Sequence, residues 1–329
     1  MNTIWQTFLQ SQRVITEQPS SISYPVADKP ERCIYPLTHF AVLTVSGKDA
    51  AKLLQGQVTC NINDINENKS SLAAMCNPKG RVIATFLVVK NTDAYVLILP
   101  VEMAAGVKQR LQMYILRSDV KISDSSNEFC LIGLSGAAHS TRSFVTETLT
   151  EGTVAIVFPA YNRQLLLLAN AEQAVQFWTD KINKDCYHVS DLTAWFYLDI
   201  LAGIPWVTKA TSEEFIPQML NLDKLGAISF TKGCYTGQEI VARTHYLGKA
   251  KRELYLAECQ TTHLPEVGIG IVNVASGALD VVGKVLLAML DQHSCKLLVI
   301  LSSDEAESDN LALQVNDQTK IKILAFAHD

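Results

Sequence analysis

The chain has 329 residues, with 33 Asp and Glu against 28 Lys and Arg and a formal net charge of −5, which excludes a protein whose whole surface is a field for polyanions. Nucleic-acid contact would have to come from a local patch. A content of 48% hydrophobic and 19% charged residues is that of a folded globular chain rather than a disordered one, and the length suits two or three domains.

The first thirty residues carry Arg13 and scattered polar groups but no apolar stretch of the secretory kind. No later apolar run approaches the ~20 residues that span a bilayer, so a cytoplasmic protein is expected. Phe40 to Val45 reads as a strand, Ser46-Gly47 as a turn and Asp49 to Gln55 as the start of a helix. Asn77-Pro78-Lys79-Gly80 is a turn signal before the β-branched run Val82 to Val89, a hairpin with Lys79 and Arg81 at its exposed tip. Val101 to Tyr114 has helical spacing, with Lys108 and Arg110 on the polar face. Phe129 to Leu134, Ser135-Gly136 and Ala137 to Leu149 then repeat the order strand, turn, helix, which suggests two related α+β units. Within the repeat, Gly133-x-x-Gly136 is either a structural turn or a phosphate cradle at a helix N-terminus.

Strands at Val154 to Phe158 and Gln164 to Leu168 precede an amphipathic helix over 171–183. Ser190 or Asp191 caps a further helix, Leu192 to Leu201, which stops at Gly203 and Pro205. It carries Trp195, Phe196 and Tyr197 in succession, and three successive side chains cannot share one helical face. At least one is therefore expected to point away from the local core, either to stack on a flat ligand or to pack on another domain. From Arg252 onward, short alternating runs (Leu254 to Ala257, Val281 to Met289, Lys296 to Leu301, Ile321 to Phe326) read as a small antiparallel β barrel. The expected domains are 1–120, 121–252 and 253–329, the first two free to interleave.

Eight cysteines are spread with no CxxC pair, and seven histidines show no HExxH, so no local metal motif is present. One cysteine stands out. Lys232-Gly233-Cys234-Tyr235-Thr236-Gly237-Gln238-Glu239 sets a thiol between two glycines, beside a cation of the kind that raises the thiolate fraction. Cys234 is either a working thiol or a small hydrophobe in a turn. Gln238 and Glu239 serve as hydrogen-bonding partners for a heterocycle or as helix-start residues. The segment from Arg243 to Arg252 adds four fixed cations and His245 to Tyr246. It reads as a site for an anionic cofactor or RNA, or as a solvated linker.

The thiol motif at 232–239, followed by Arg243, closely resembles the signature of the YgfZ family of folate-binding proteins. Leu54-Gln55-Gly56-Gln57-Val58-Thr59, Pro78-Lys79-Gly80-Arg81, Ala202-Gly203-Ile204-Pro205 and Phe215-Ile216-Pro217-Gln218 with Asn221-Leu222 extend the likeness over residues 40–252. The resemblance implies an α+β fold related to the aminomethyltransferase of the glycine cleavage system: two α+β domains in a ring around a central folate channel, plus the C-terminal barrel. It implies folate or a tetrahydrofolate derivative as cofactor, with contacts at Phe40 and Trp195. The functional thiol would be Cys234, with Lys232 beside it and Gly233, Tyr235, Gly237, Gln238, Glu239 and Arg243 in support. It further implies a role in assembly or repair of iron–sulfur enzymes and, through them, in tRNA thiomethylation. Iron–sulfur enzymes or their assembly factors would be the partners.

Two departures shape that expectation. The acidic pair of the aminomethyltransferases falls on Ala84 and Thr85, so methylene transfer by their mechanism is not expected and independent turnover is doubtful. Leu201 occupies a position usually acidic, and loss of one charged hydrogen bond to a pterin costs about 1.5–3 kcal/mol. A folate-dependent one-carbon transferase or oxidase, and a tRNA-binding module built on residues 243–252, remain the alternatives.

Overall fold

The computed structural model describes residues 2–12, 14, 31–136, 143–248, 250–275, 280–291, 294–314 and 319–326. Period-two alternation gives every strand two faces, and three antiparallel or mixed sheets each turn one of those faces toward a single shared core. The first sheet has the order β3-β4-β5-β2-β6, from Phe40–Ser46 (β2), Ser71–Cys76 (β3), Val82–Asn91 (β4), Ala94–Pro100 (β5) and Lys121–Asp124 (β6). Its Ala41, Leu43, Phe86 and Leu97 side is covered by helices α2 (Ala50–Gln55) and α3 (Val101–Gln112). Its Phe40, Val42, Leu87 and Ile98 side joins the shared core.

The second sheet runs β11-β1-β7-β10-β9-β8. It contains Cys33–Pro36 (β1), Cys130–Ser135 (β7), Thr146–Thr150 (β8), Thr153–Phe158 (β9), Arg163–Leu168 (β10) and His188–Val189 (β11). A strand from the start of the chain thus completes this sheet, β1 pairing with β7 and β11. Helices α1 (Thr3–Ser11) and α4 (Ala171–Asn183) cover one face through Trp5 and Trp178, whose rings meet edge-on at 5.6 Å. The third sheet is a curled antiparallel one, β16-β13-β14-β15-β12-β17, built from Arg252–Gln260 (β12), Gly270–Asn273 (β13), Val281–Asp291 (β14), Ser294–Ser302 (β15), Leu311–Leu313 (β16) and Ile321–Leu324 (β17). A bridge between Ala312 and Lys320 draws its two edges together, making a half-barrel.

At the meeting point lies α5 (Leu192–Leu201), capped by Asp191, whose carboxylate accepts from Ala194 N at 3.0 Å. Of the two expected outcomes, the structure shows packing rather than a face left for a flat ligand, and all three aromatics are engaged. Trp195 is fully buried against Tyr35 and Phe158, at 5.5 and 5.7 Å between ring centroids. Phe196 packs on His39 at 5.2 Å, and Tyr197 is buried on the side where α5 packs on β14 and β15. A helix enclosed on all sides has no outward face to offer.

The helix expected over 137–149 is also corrected. Residues 137–142 lie outside the described residues, and Thr146–Thr150 is a strand paired with β9. Its alternation of threonines with Glu147 and Leu149 is a period of two, and β-branched residues favour a pleated surface. Gly133 therefore belongs to the interior of β7, and the element described after it is the strand β8. A methyl carbon on Gly133 would lie 2.5 Å from the Trp195 ring, so the glycine makes room for an indole rather than for phosphate.

The core also holds a buried ion pair. Arg163 and Asp199 are both fully buried, 2.6 Å apart, and Trp206 Nε1 donates to the same carboxylate at 2.9 Å. Arg163 also stacks over Trp195 at 4.7 Å. Replacing Asp199 with Ala strands the guanidinium without a counter-charge, and the expected loss is about 3–5 kcal/mol, read as a lower midpoint in urea unfolding.

Candidate functional site

The thiol loop is held by backbone. Ser229 N donates to Thr59 O at 2.9 Å, and Thr236 N donates to Gly56 O at 3.2 Å, so both ends of the loop rest on residues 56–60. Thr59 is itself buried, its hydroxyl donating to Ala227 O at 2.8 Å and accepting from Ala74 N at 2.9 Å. Gly237 has φ +83°, and a methyl carbon there would lie 2.5 Å from Asn77 O. Only glycine lets the loop close on the Asn77–Gly80 turn.

Within this frame the motif residues divide sharply. Lys232 is buried, and its ammonium donates to Val58 O and Cys60 O, both at 2.7 Å, with the Tyr235 ring 5.0 Å away. Burial lowers its pKa from 10.5 to about 8. The cation that the sequence set beside the thiol thus pins the loop to the first sheet. Tyr235 is buried, and Tyr235 N donates to Gln238 Oε1 at 3.3 Å. Gln238 and Glu239 open helix α6 (Gln238–Leu247), and Glu239 and Arg243 are exposed. Gly233 has open space around its Cα, and Cys234 is exposed. Cys186 is the other exposed cysteine, while burial pushes Cys60 and Cys76 up to about 12.

The two residues expected to hold folate are packed. Phe40 meets Trp206 edge-on at 4.8 Å and lines a hollow of about 70 Å³. Trp195 has no exposed surface. A larger cleft, about 590 Å³, lies behind the Phe158 wall of Trp195 and is bordered by Phe144, Phe158, Asn221, Lys224, Tyr255 and Phe326. That volume is in the range for a drug-sized ligand.

The acid-replacing residues have their own tasks. Thr85 is fully buried, its hydroxyl donating to Pro205 O at 2.8 Å and accepting from Val207 N at 2.9 Å. Ala84 is buried in the first sheet's core. Leu201 is partly buried against the shared core, while the buried acid of α5 is Asp199, two residues earlier. Sequence reasoning missed Asp199 because nothing local pairs it with Arg163. Among the described residues no group of three His, Cys, Asp or Glu is placed to hold a metal ion, and no helix is long and apolar enough to cross a membrane. Of the basic segment, Arg243, His245, Tyr246, Lys251 and Arg252 are exposed, and Lys249 lies outside the described residues.

Two outcomes follow from this geometry. Lys232→Ala leaves the Val58 and Cys60 carbonyls without their charged donor, with an expected cost of about 1.5–3 kcal/mol in denaturant unfolding. His39, shielded between Phe40 and Phe196, has its pKa lowered by burial from 6.5 to about 3. Between those values the unfolded chain binds a proton that the folded chain does not, so stability falls as pH drops from 6.5 toward 3. His39→Phe is expected to flatten that part of the stability–pH curve.

Comparison with known proteins bears on the family and the fold. Residues 31–157 match the family described as GCVT N-terminal domain. The chain is 34% identical over 244 residues to the tRNA-modifying protein YgfZ of Colwellia psychrerythraea (strain 34H), covering 71% of this chain and 74% of that protein. It is 29% identical over 296 residues to the proteins of the same name from Shigella boydii serotype 4 and Escherichia coli (strain SE11), covering 87% of this chain and 90% of each. The fold is similar to that of glycine cleavage system aminomethyltransferase T from Bartonella henselae, with a TM-score of 0.72 at 10% identity, covering 90% of this chain and 86% of that one. At 34% identity over 71% of its length to a protein named YgfZ, the chain belongs to the YgfZ family.

Proposed function

We propose that this chain is a cytoplasmic folate-binding accessory protein for iron–sulfur enzymes, that it acts through the thiol of Cys234, and that it affects tRNA modification through those enzymes. The observation that carries the reading is the contrast within one motif: Lys232, Tyr235 and Gly237 fix the loop, while Cys234 stands exposed at its crest. A rigid loop that presents one thiol is suited to meet a cluster, a metal or a reactive one-carbon group on a partner. The relatives' name, tRNA-modifying protein, supports the tRNA end of the reading, and the GCVT match and aminomethyltransferase-like fold support folate.

In this reading the units 1–120, 121–252 and 253–329 surround the folate. The cleft behind Phe158 offers the aromatic walls, with Trp195 backing them, while Phe40 lines the separate smaller hollow. Bound folate would supply a carrier for a one-carbon unit. The Thr85 hydroxyl is committed to Pro205 and Val207 and Ala84 carries no acid, which disfavours the rival reading of an independent transferase or oxidase. The RNA reading of residues 243–252 has one observation in its favour: Phe230 and His245 stack at 3.7 Å beside an exposed Tyr246, and stacked aromatics with cations suit unpaired bases.

The test is complementation of cells lacking the protein with wild type or Cys234→Ser, measuring iron–sulfur enzyme activity and 2-methylthio-adenosine in tRNA. Rescue by wild type alone is expected. Full rescue by Cys234→Ser would end the thiol reading, reduce Cys234 to a structural residue and move attention to the folate cleft.

A further inference from the structure

A pair of thiols lies in the third sheet, C-terminal to Cys234. Cys259 and Cys295 sit directly opposite one another in β12 and β15. Both are buried on the face that forms the inner core of the third sheet, with Ala257, Leu297, Val299 and Ile321. The two thiols hydrogen bond to one another, and Cys295 Sγ also donates to Lys296 O at 3.7 Å.

The register fixes their spacing. Ser303 N donates to Lys251 O at 3.1 Å, and the pairing then runs without a shift from Arg252–Ser302 to Gln260–Ser294. Every second rung from Lys251–Ser303 is therefore a hydrogen-bonded pair, and Cys259–Cys295 is one of them. Directly opposed residues of that kind hold their Cα atoms about 5.5 Å apart, and disulfide-bonded cysteines most often lie about 5.5–6 Å apart. The backbones are at the separation of a disulfide, while the Cβ atoms of such a pair stand about 4.5–5.5 Å apart and must close to about 3.5–4.5 Å, a local shift of the strands.

Access comes from position in the ladder. One rung, Gln260–Ser294, separates the pair from the end of the β12–β15 ladder, with Cys295 also paired to Leu290 of β14 and Cys259 to Ile321 of β17. Terminal rungs open at low free energy without unfolding the remainder. The hydrogen bond to Cys259, together with burial, holds the Cys295 thiol far above the ordinary thiol range while the ladder is closed. Reaction therefore belongs to the frayed state.

We propose that Cys259 and Cys295 form a reversible dithiol–disulfide pair whose oxidant is a small disulfide of the glutathione type. One thiol loses its proton, and its sulfur attacks a sulfur of the oxidant. The first glutathione leaves as thiolate and takes up that proton. The second protein thiol then loses its proton and attacks the protein-bound sulfur of the mixed disulfide, and the second glutathione leaves and is protonated. Two protein thiols lose two electrons, and one glutathione disulfide gains them as two glutathione thiols. The new bond ties the outer end of β12, the strand that follows α6, to β15, on which α5 packs.

The test uses the purified full-length protein, reduced and then incubated with glutathione disulfide. Remaining thiols are alkylated after denaturation, and peptides are mapped without reduction. The expected result is one peptide pair joining residues 259 and 295 that dithiothreitol separates, also formed in Cys186→Ser and Cys234→Ser. A melting temperature raised by several degrees on oxidation should accompany it, and Cys259→Ala and Cys295→Ala should each abolish the rise. If both peptides remain alkylated, or are found joined only to Cys186 or Cys234, at oxidant levels that consume those exposed thiols, the proposal is overturned. The map is read on the wild-type chain, so an unstable alanine variant does not decide the outcome.

Discussion

Burial of α5 on every side is the constraint on which the rest depends. A sheet with one apolar face must cover it, and here three sheets use the same helix and the segment that follows it. The arrangement requires a polar charge to be neutralised inside, and Arg163 with Asp199 and Trp206 does this at the point where the second sheet meets the helix. It also sends parts of the chain after α5, residues 203–207 and much of 215–222, through the interior. Residues 203–237 contain one short 3-10 turn, Pro217–Leu220, so their buried backbone groups must find partners elsewhere. Thr85 supplies two, and Val82 exchanges hydrogen bonds with Glu213 and Phe215, each 2.7 Å. That segment borders the part of β4 that lies beyond its pairing with β5.

The thiol loop inherits its rigidity from this crossing. An ammonium in the interior is costly unless oxygen atoms surround it, and the Val58 and Cys60 carbonyls meet that need for Lys232. The motif thus spends its charge on anchorage and leaves its sulfur outside. A sequence shows both residues side by side and cannot say which way each side chain turns.

Legibility followed locality. Helix α4 was readable from its amphipathic spacing, and α5 because Asp191 caps it and Gly203 with Pro205 ends it. The hairpin at Asn77 and the strand–turn–helix at Phe40 were equally plain, since their signals lie within a few residues. The short strands β13 and β16 were not read from the sequence, because their four and three residues carry too little alternation to be heard. The mistaken helix near Leu149 arose from extending a repeat past the point where the period changed. Long-range partners were invisible in principle: Asp199 reads as an ordinary helix residue until Arg163 is placed against it, and three aromatics in a row do not say whether the one turned from the local core meets a ligand or another sheet.

The anchors of the thiol loop have a temporal meaning. Lys232 reaches Val58 across a sequence separation of 174 residues, and Gly237 closes on a turn near Asn77. Contacts of such separation form late, because the intervening chain must first be ordered. On the ribosome, the first sheet can be complete long before Lys232 emerges to seat on it. The loop that presents Cys234 therefore exists only in a chain that has nearly finished synthesis and has folded, and a partner that recognises this loop recognises the mature protein and passes over its nascent and partly unfolded forms.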